Sequence, residues 1–134
     1  MISNGLVDAI KRSEGFKGMP YEDSLGKPTI GYGTLLPLSE LESAMILRSR
    51  LLEKMNELIN QIPWIVTQPK DVQDVVYEMS YQMGVAGVLK FKNMLKALQD
   101  EDYERAGDEA LDSKWAKQTP NRARKLAHKL KSVS

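Results

Sequence analysis

The chain contains no cysteine and a single histidine, His128, among its 134 residues. Without cysteine it can form no disulfide and has no thiol nucleophile, which excludes Cys–His peptidase chemistry. One histidine cannot supply the several His or Cys ligands of an ordinary zinc site. Because His128 lies in a Lys- and Arg-rich segment without acidic neighbours, we interpret it as a residue on a helix face. If the chain is an enzyme, its chemistry depends on carboxylates, and we expect neither a metal nor a cofactor.

Long apolar runs are also missing. No run approaches the roughly 18 apolar residues that a transmembrane helix requires. The N-terminal segment meets a charge at Asp8 and has no small-residue cleavage site, so we expect no signal peptide. With 134 residues and 42% hydrophobic content, the chain is long enough for one soluble domain with a real core.

Acidic side chains are absent from the C-terminal segment. Residues 113–134 carry seven Lys or Arg side chains and no Asp or Glu. Such a basic segment suggests an anionic partner, such as nucleic acid, phospholipid or an acidic wall polymer. It is equally typical of the solvated face of a surface helix. Both interpretations remain open at this point.

Turn-forming residues are concentrated between 13 and 36. A first helix is predicted from Ser3 or Asn4 to Glu14, since Gly15 supplies a stop. Beyond it, Gly and Pro recur too closely for a helix, and β-forming residues flank a turn at 24–27. We therefore predict a small hairpin after the first helix.

Every element after residue 38 is predicted to be helical. Ser39 and Glu42 form a capping-box pattern that opens a long helix, whose Met and Leu stripe is interpreted as core. Later helices are predicted to have Asp71 and Thr119 as N-caps, a turn beginning at Gly84, and Ala106, Ala110 and Leu111 facing inward. The fold class is α+β, mostly α, in one domain. We divide it into a hairpin-bearing lobe (1–38), a connecting helix (39–62) and a helical lobe (63–134).

Three polar residues of the turn-rich stretch suggest chemistry. Glu14 ends the first helix, Asp23 precedes the predicted turn, and Thr29 begins the returning strand. Two carboxyl groups and a hydroxyl are typical of a general acid, a general base and a residue that holds water. Charged residues at helix ends and in turns are also commonly just solvated, so the spacing alone leaves the question open.

The surrounding sequence resembles a known family. The run SEGFKGMPYEDSLGKPTIGYGT is similar to the catalytic signature of the bacteriophage lysozymes, the endolysins of glycoside hydrolase family 24. Two later stretches, SYQMGVAG with the following NMLKAL and then WAKQTPNRARK, resemble segments of T-even phage lysozymes in the same order. The middle of the chain is shorter than in that relative. The resemblance implies a lysozyme-like fold.

It also implies a muramidase that inverts configuration while cleaving the β-1,4 bond between N-acetylmuramic acid and N-acetylglucosamine in peptidoglycan. Glu14 matches the general acid, Asp23 the second carboxylate and Thr29 the hydroxyl that helps to hold the attacking water. Arg122 matches an arginine that approaches the catalytic Glu. Leu35, Tyr81 and Gln82 match positions that contact sugar, whereas Trp115 is interpreted as core.

One position departs from the family pattern. The family usually has a His after the second Gly of GYG, and here Thr34 stands there. That His is mainly structural in the family and pairs with a carboxylate. Its loss therefore removes a titrating group, and we expect a flatter dependence of stability on pH.

The resemblance also implies partners and a location. We expect a monomer that binds peptidoglycan glycan strands and no nucleic acid, accumulates in the host cytoplasm, and reaches the periplasmic wall after a holin opens the inner membrane. Weak contact of the basic C-terminal helix with anionic membrane stays open. One alternative is a non-enzymatic, membrane-active protein that uses the basic segment 116–131. Another is a lysozyme-like domain that binds peptidoglycan without cutting it.

Overall fold

The computed structural model describes residues 1–133 and has an α+β fold that is mostly helical, as predicted. A small antiparallel sheet follows the first helix, and the chain is helical after it. The elements are α1 (Asn4–Glu14), β1 (Lys17–Glu22), β2 (Pro28–Gly31), β3 (Thr34–Leu35), α2 (Glu40–Gln61), a 3₁₀ turn (Pro63–Thr67), α3 (Lys70–Met83), α4 (Val85–Leu89), α5 (Lys92–Gln99), α6 (Tyr103–Leu111), α7 (Lys114–Gln118) and α8 (Pro120–Lys131).

The chain divides into two compact units. The N-terminal unit is Met1–Ile46 and the C-terminal unit is Leu47–Ser134, so that α2 contributes residues to both. The N-terminal unit contains α1 and the whole sheet, and the C-terminal unit contains the later helices.

The first helix begins and ends as the sequence predicted. The Ser3 hydroxyl accepts a hydrogen bond from the backbone N–H of Leu6 at 3.1 Å, which satisfies one of the unpaired donors of the first turn. Gly15 adopts a φ of 73°, and its N–H donates to the Lys11 carbonyl at 2.9 Å. A positive φ of this kind favours glycine, so the helix stops directly after Glu14.

The sheet has three strands rather than the two of the predicted hairpin. Strand β2 lies in the centre, with Thr29 opposite Tyr21 of β1 on one side and Leu35 of β3 on the other. Pro28 is the first residue of β2, a position where the missing N–H of proline is tolerated. The third strand escaped prediction because two residues are too few to show an alternating pattern.

The long helix begins with the predicted capping box. The Ser39 hydroxyl accepts from the Glu42 N–H at 3.1 Å, and the Glu42 carboxylate accepts from the Ser39 N–H at 2.8 Å. This reciprocal pair fixes the first turn of α2.

The interpretation of the whole α2 stripe as core was wrong. Leu41 is 72% exposed and Met45 is 62% exposed, whereas Leu58 is fully buried. Leu51 is the first residue of α2 that packs against the hydrophobic core. The apolar residues share one side of α2, but only its second half is covered.

The core lies in the C-terminal unit. Its largest fully buried side chains come from α2, the 3₁₀ turn, α3, α4, α5 and α8, and they are Leu58, Ile65, Val72, Val75, Val76, Met79, Val88, Met94, Leu98 and Leu130. Ala106 and Ala110 of α6 are also buried, as predicted. Trp115 is 7% exposed, which confirms its interpretation as core. His128 is exposed on α8, as predicted.

Three local predictions in this unit were wrong. Helix α3 begins at Lys70, one residue before the predicted cap Asp71, and has Pro69 at its N-cap without a side-chain bond. Gly84 ends α3, but the following residues form α4 instead of a turn. Leu111, the last residue of α6, is 37% exposed. Thr119 is the N-cap residue of α8 and Pro120 its first residue, as predicted, although the Thr119 hydroxyl donates to the Trp115 carbonyl at 3.1 Å instead of capping the helix.

Candidate functional site

Glu14 is exposed at the end of α1 and touches the turn between β2 and β3. A Cβ built on Gly33 would overlap the Glu14 Oε2 atom and lie 2.5 Å from its Cδ. Gly33 also has a φ of 72°, which L side chains rarely adopt. Glycine at this position therefore lets the backbone of the turn approach the Glu14 carboxyl closely.

Aromatic contacts fasten the same turn to the end of α1. The rings of Phe16 and Tyr32 lie with their centroids 5.5 Å apart at an angle of 51°. The Lys11 ammonium lies 5.4 Å from the centre of the Tyr32 ring. These contacts keep Tyr32, and with it the neighbouring Gly33, next to the helix that ends in Glu14.

Asp23 is half-buried and organises the turn between β1 and β2. Its Oδ1 atom accepts hydrogen bonds from the backbone N–H groups of Leu25 and Lys27, both at 2.9 Å. Two backbone donors fix the orientation of the carboxylate. Oδ2 has no hydrogen-bond partner among residues 1–133 and is available to a water or a substrate.

Thr29 is one of two buried polar side chains of the described residues and is 2% exposed. Its hydroxyl donates to the Lys27 carbonyl at 2.9 Å, which uses its single hydrogen. The lone pairs of the oxygen remain as acceptors, so Thr29 can receive a hydrogen bond but not donate a second one.

The backbone of Lys27 brings Asp23 and Thr29 together. Its N–H donates to Asp23 and its carbonyl accepts from Thr29, so one residue orients both side chains. The N-terminal unit therefore contains a carboxyl group next to the Gly33 turn and a carboxylate and hydroxyl fixed at the Lys27 turn. These groups can donate a proton, accept a proton and accept from a water molecule, which are the functions predicted for the three residues.

Leu35 and Thr34 lie in β3. Leu35 is 52% exposed and pairs with Thr29 across the sheet, and Thr34 is half-buried opposite Ile30. The Leu35 side chain is therefore accessible to a ligand, and its contact with sugar stays a prediction.

Arg122, at the start of α8, forms an ion pair with Glu78 of α3. The Arg122 Nε lies 2.8 Å from the Glu78 Oε2, and both side chains are about two-fifths exposed. At this exposure we expect about 0–1 kcal/mol of stability from the pair, so its main effect is to orient the guanidinium. Nε is the one guanidinium nitrogen to which the described part of the chain gives a partner.

Arg122 and Glu78 line a groove of about 730 Å³ in the C-terminal unit, together with Tyr81 and the apolar side chains of Leu51 and Met55. Tyr81 is 40% exposed, so its ring is available on the wall of the groove. Arg122, predicted to approach the catalytic Glu, and Tyr81, predicted to contact sugar, thus share one groove.

Gln82 faces Trp115 instead. Its Oε1 atom accepts a hydrogen bond from the Trp115 indole N–H at 3.0 Å, and Gln82 is half-buried. The side-chain amide N–H groups have no hydrogen-bond partner within residues 1–133 and can donate to a ligand. The ligand-binding roles of Gln82, Leu35, Tyr81 and Arg122 stay predictions, as do the catalytic roles of Glu14, Asp23 and Thr29.

Three residues that shape these sites were not singled out from the sequence as members of a site. Gly33 was noted only as part of a motif, although its place before Thr34 in GYG was a usable signal. Glu78 gave no signal, because it lies 44 positions from Arg122 in the chain. Lys27 contributes backbone atoms, which the identity of a side chain does not reveal.

Within the described residues, three of the seven cations in the basic C-terminal segment are paired with acids of the same unit. Besides Arg122, Lys131 lies 2.5 Å from Asp108 and 3.6 Å from Glu104, and Lys129 lies 4.0 Å from Asp71. The carboxylate of Asp108 raises the pKa of the Lys131 ammonium. Such pairs are typical of a solvated helix face.

Residues 1–133 contain no group of three His, Cys, Asp or Glu side chains arranged to hold a metal ion. None of the helices in this range combines the length and the hydropathy that crossing a membrane requires.

Comparison with known proteins identifies the family. The phage lysozyme family model matches residues 11–131. The probable T4-type lysozymes 1 and 2 of Dictyostelium discoideum are 28% and 25% identical, each over 94% of this chain and 92% of the relative. The pre-baseplate central spike protein Gp5 of Enterobacteria phage T4 is 26% identical over 90% of this chain, which spans only 26% of that protein. The chain therefore belongs to the phage lysozyme family.

Proposed function

We propose that the protein is a muramidase, a glycoside hydrolase that cleaves the β-1,4 bond between N-acetylmuramic acid and N-acetylglucosamine in peptidoglycan. Family membership supports this reaction class. The observation that carries the proposal is the placement of Glu14 against Gly33 and of Asp23 and Thr29 around Lys27. The Asp23 and Thr29 side chains each have backbone hydrogen bonds, so these two groups need little reorganisation when substrate binds.

In the proposed reaction, Glu14 protonates the glycosidic oxygen as the bond to the leaving sugar breaks. A water molecule attacks the anomeric carbon from the opposite face, and Asp23 accepts a proton from it. Thr29 accepts a hydrogen bond from the second hydrogen of that water, because its own hydrogen is donated to the Lys27 carbonyl. Attack of water in a single displacement inverts the anomeric configuration.

The test is Glu14→Gln, which preserves shape but removes the transferable proton. We expect release of reducing ends from purified peptidoglycan to fall by at least about 10²-fold, since general acid catalysis contributes this much or more. Glu22→Gln is the matched control, because Glu22 is an exposed carboxylate of the neighbouring strand β1. Full activity of Glu14→Gln would contradict the assignment of the acid.

Product analysis tests the reaction itself. Mass spectrometry should find muramic acid at the new reducing ends, whereas anhydro ends would indicate a transglycosylase. NMR of the first product should show the inverted anomer, and the retained anomer would contradict single displacement. Retained binding of peptidoglycan without new ends would favour the non-cutting alternative.

We further propose that the protein serves host-cell lysis. It would accumulate in the host cytoplasm and act on periplasmic peptidoglycan after a holin permeabilises the inner membrane. Family membership supports this role. Expression in a bacterial cytoplasm should cause rapid lysis only when a holin is co-expressed, and rapid lysis without it would contradict the need for a holin.

Two other roles for the protein, on the phage particle and at the membrane, predict different experimental results. The similarity to a phage spike protein favours, as a second candidate, a lysozyme carried on the particle, which detection of the chain in purified particles would support. The membrane-active alternative predicts killing that survives Glu14→Gln and is lost when Lys125, Lys129 and Lys131 are neutralised. The ion pairs of Lys129 and Lys131 count against it, because those cations already face carboxylates.

A further inference from the structure

A second groove in the C-terminal unit has no part in the proposed reaction. It encloses about 860 Å³ between the 3₁₀ turn, the start of α6 and the end of α8. This volume is within the range of small-molecule sites in proteins. Two half-buried aromatic side chains, Trp64 and Tyr103, line it together with Gln68 and several carboxylates.

The aromatic wall is fixed by hydrogen bonds behind it. The Tyr103 hydroxyl donates to the Gln68 Oε1 at 3.0 Å, and the Gln68 Nε2 donates to the Leu98 carbonyl at 3.0 Å. The Gln73 side chain donates to the Gln68 carbonyl at 2.8 Å and so fixes the backbone of the same residue. Burial raises the pKa of the Tyr103 phenol, with a further contribution from the Glu101 carboxylate, so the hydroxyl stays a donor. The ring of Tyr103 therefore has a defined orientation before any ligand binds.

Trp64 retains hydrogen-bonding capacity. Its indole N–H has no partner within the described residues, whereas the indole of Trp115 donates to Gln82. A half-buried indole thus offers a ligand both a ring face and a donor.

The acids of the groove are mostly engaged. The Asp102 carboxylate caps α6 by accepting from the Arg105 N–H at 3.2 Å, and Glu104 lies 3.6 Å from the Lys131 ammonium. Since two of the three carboxylates already interact with donors or cations, the groove favours a neutral ligand over an organic cation.

A neutral ligand with flat apolar faces and hydroxyl groups at its edges matches these features. Sugar rings present C–H groups that pack on aromatic faces, and their hydroxyls donate to carboxylates and accept from N–H groups. We propose that this groove is a second glycan-binding site, with Trp64 and Tyr103 as the stacking platform. The choice of a glycan over another polyol rests on the proposed peptidoglycan hydrolase function.

The experiment follows both tryptophan indole signals by NMR in the ¹⁵N-labelled Glu14→Gln protein during titration with the N-acetylglucosamine trimer. We expect saturable movement of the Trp64 indole and Gln68 side-chain amide signals. The proposal would be overturned if the Trp64 signal stayed stationary while the other signals moved to saturation. It would also be overturned if the Trp64 signal had not moved at the highest trimer concentration. Movement with choline but not with the trimer would overturn it too, since it would indicate a cation site.

Substitutions provide an independent measurement. Trp64→Ala should weaken binding of the full chain to purified peptidoglycan by about tenfold, the scale of losing one buried aromatic anchor. Trp64→Phe, which keeps a ring face, should weaken it less. Val66→Ala is the matched control, because Val66 is 51% exposed on the same 3₁₀ turn and does not line the groove. Equal binding by the Trp64→Ala and Val66→Ala proteins would overturn the proposal.

The outcome is separable from that of the proposed reaction. Release of reducing ends by the unmodified protein tests the hydrolase, and movement of the Trp64 indole signal tests the groove. Hydrolysis with a stationary Trp64 signal would refute the groove alone. A moving signal without hydrolysis would support the groove and refute the reaction.

Discussion

Replacing Gly33 by alanine should damage activity far more than stability. The new Cβ would lie 2.5 Å from the Glu14 Cδ, and ordinary contact begins at 3.4 Å, so the carboxyl must retreat by about 0.9 Å. Misplacement of a catalytic group by about 1 Å can cost about 10²-fold in rate. The positive φ of 72° adds about 1–2 kcal/mol of backbone strain for a residue with a Cβ.

Gly31→Ala separates these two effects. Gly31 ends β2 directly before the same turn and has a φ of 68°, but a Cβ there would meet nothing within 4 Å. Both variants should therefore lose about 1–2 kcal/mol of unfolding free energy in urea titrations followed by circular dichroism. Only Gly33→Ala should lose about 10²-fold in the initial rate of reducing-end release.

The comparison of the two variants can refute the reasoning. Equal rates for Gly31→Ala and Gly33→Ala, measured where both remain folded, would show that the contact with Glu14 does not matter. Equal and severe losses would attribute the effect to backbone strain rather than to displacement of the carboxyl.

Three other changes have defined outcomes. Glu78→Gln should lower kcat/KM on peptidoglycan by several-fold with little change in unfolding free energy, because it removes the charge that orients Arg122; unchanged kinetics would contradict this. Ser39 holds the pKa of the exposed Glu42 carboxyl below its ordinary value through backbone and hydroxyl hydrogen bonds. That stabilisation is present above the unfolded pKa of about 4.3 and is lost as pH falls through the folded value. Glu42→Gln, which removes the ionisable group, should therefore destabilise less in acid, and a pH-independent difference in melting temperature would contradict the linkage. Thr34→His introduces an imidazole with an unperturbed pKa of about 6.5, so its stability should vary more between pH 5 and 7 than that of the parent; parallel profiles would count against this.

Local signals in the sequence were sufficient for the elements that carry the site. Gly15 predicted where α1 ends, and the turn residues predicted the connection that orients Asp23, because both depend on backbone conformations with strong residue preferences. Ser39 and Glu42 likewise form the capping box that their spacing predicted. Such features involve neighbours within a few positions.

Features that depend on distant neighbours could not be predicted in this way. Periodicity shows which residues of a helix share a face, but it does not show which of them are covered, and Leu41 and Met45 are exposed. The pairing of Glu78 with Arg122 depends on the packing of α3 and α8, which local patterns do not specify. The approach of Gly33 to Glu14 likewise depends on the pairing of β3, the two-residue strand that directly follows Gly33.

The double use of Lys27 has a consequence for engineering and for natural variation. Asp23 and Thr29 are oriented by its peptide N–H and carbonyl, and its side chain takes part in neither bond. Many amino acids at this position would preserve both interactions, whereas proline would remove the donor to Asp23. The side chain at position 27 can therefore vary in charge and size, while the backbone there must keep its conformation. Tolerance of substitution at this position would thus not mean that the residue is unimportant for the site.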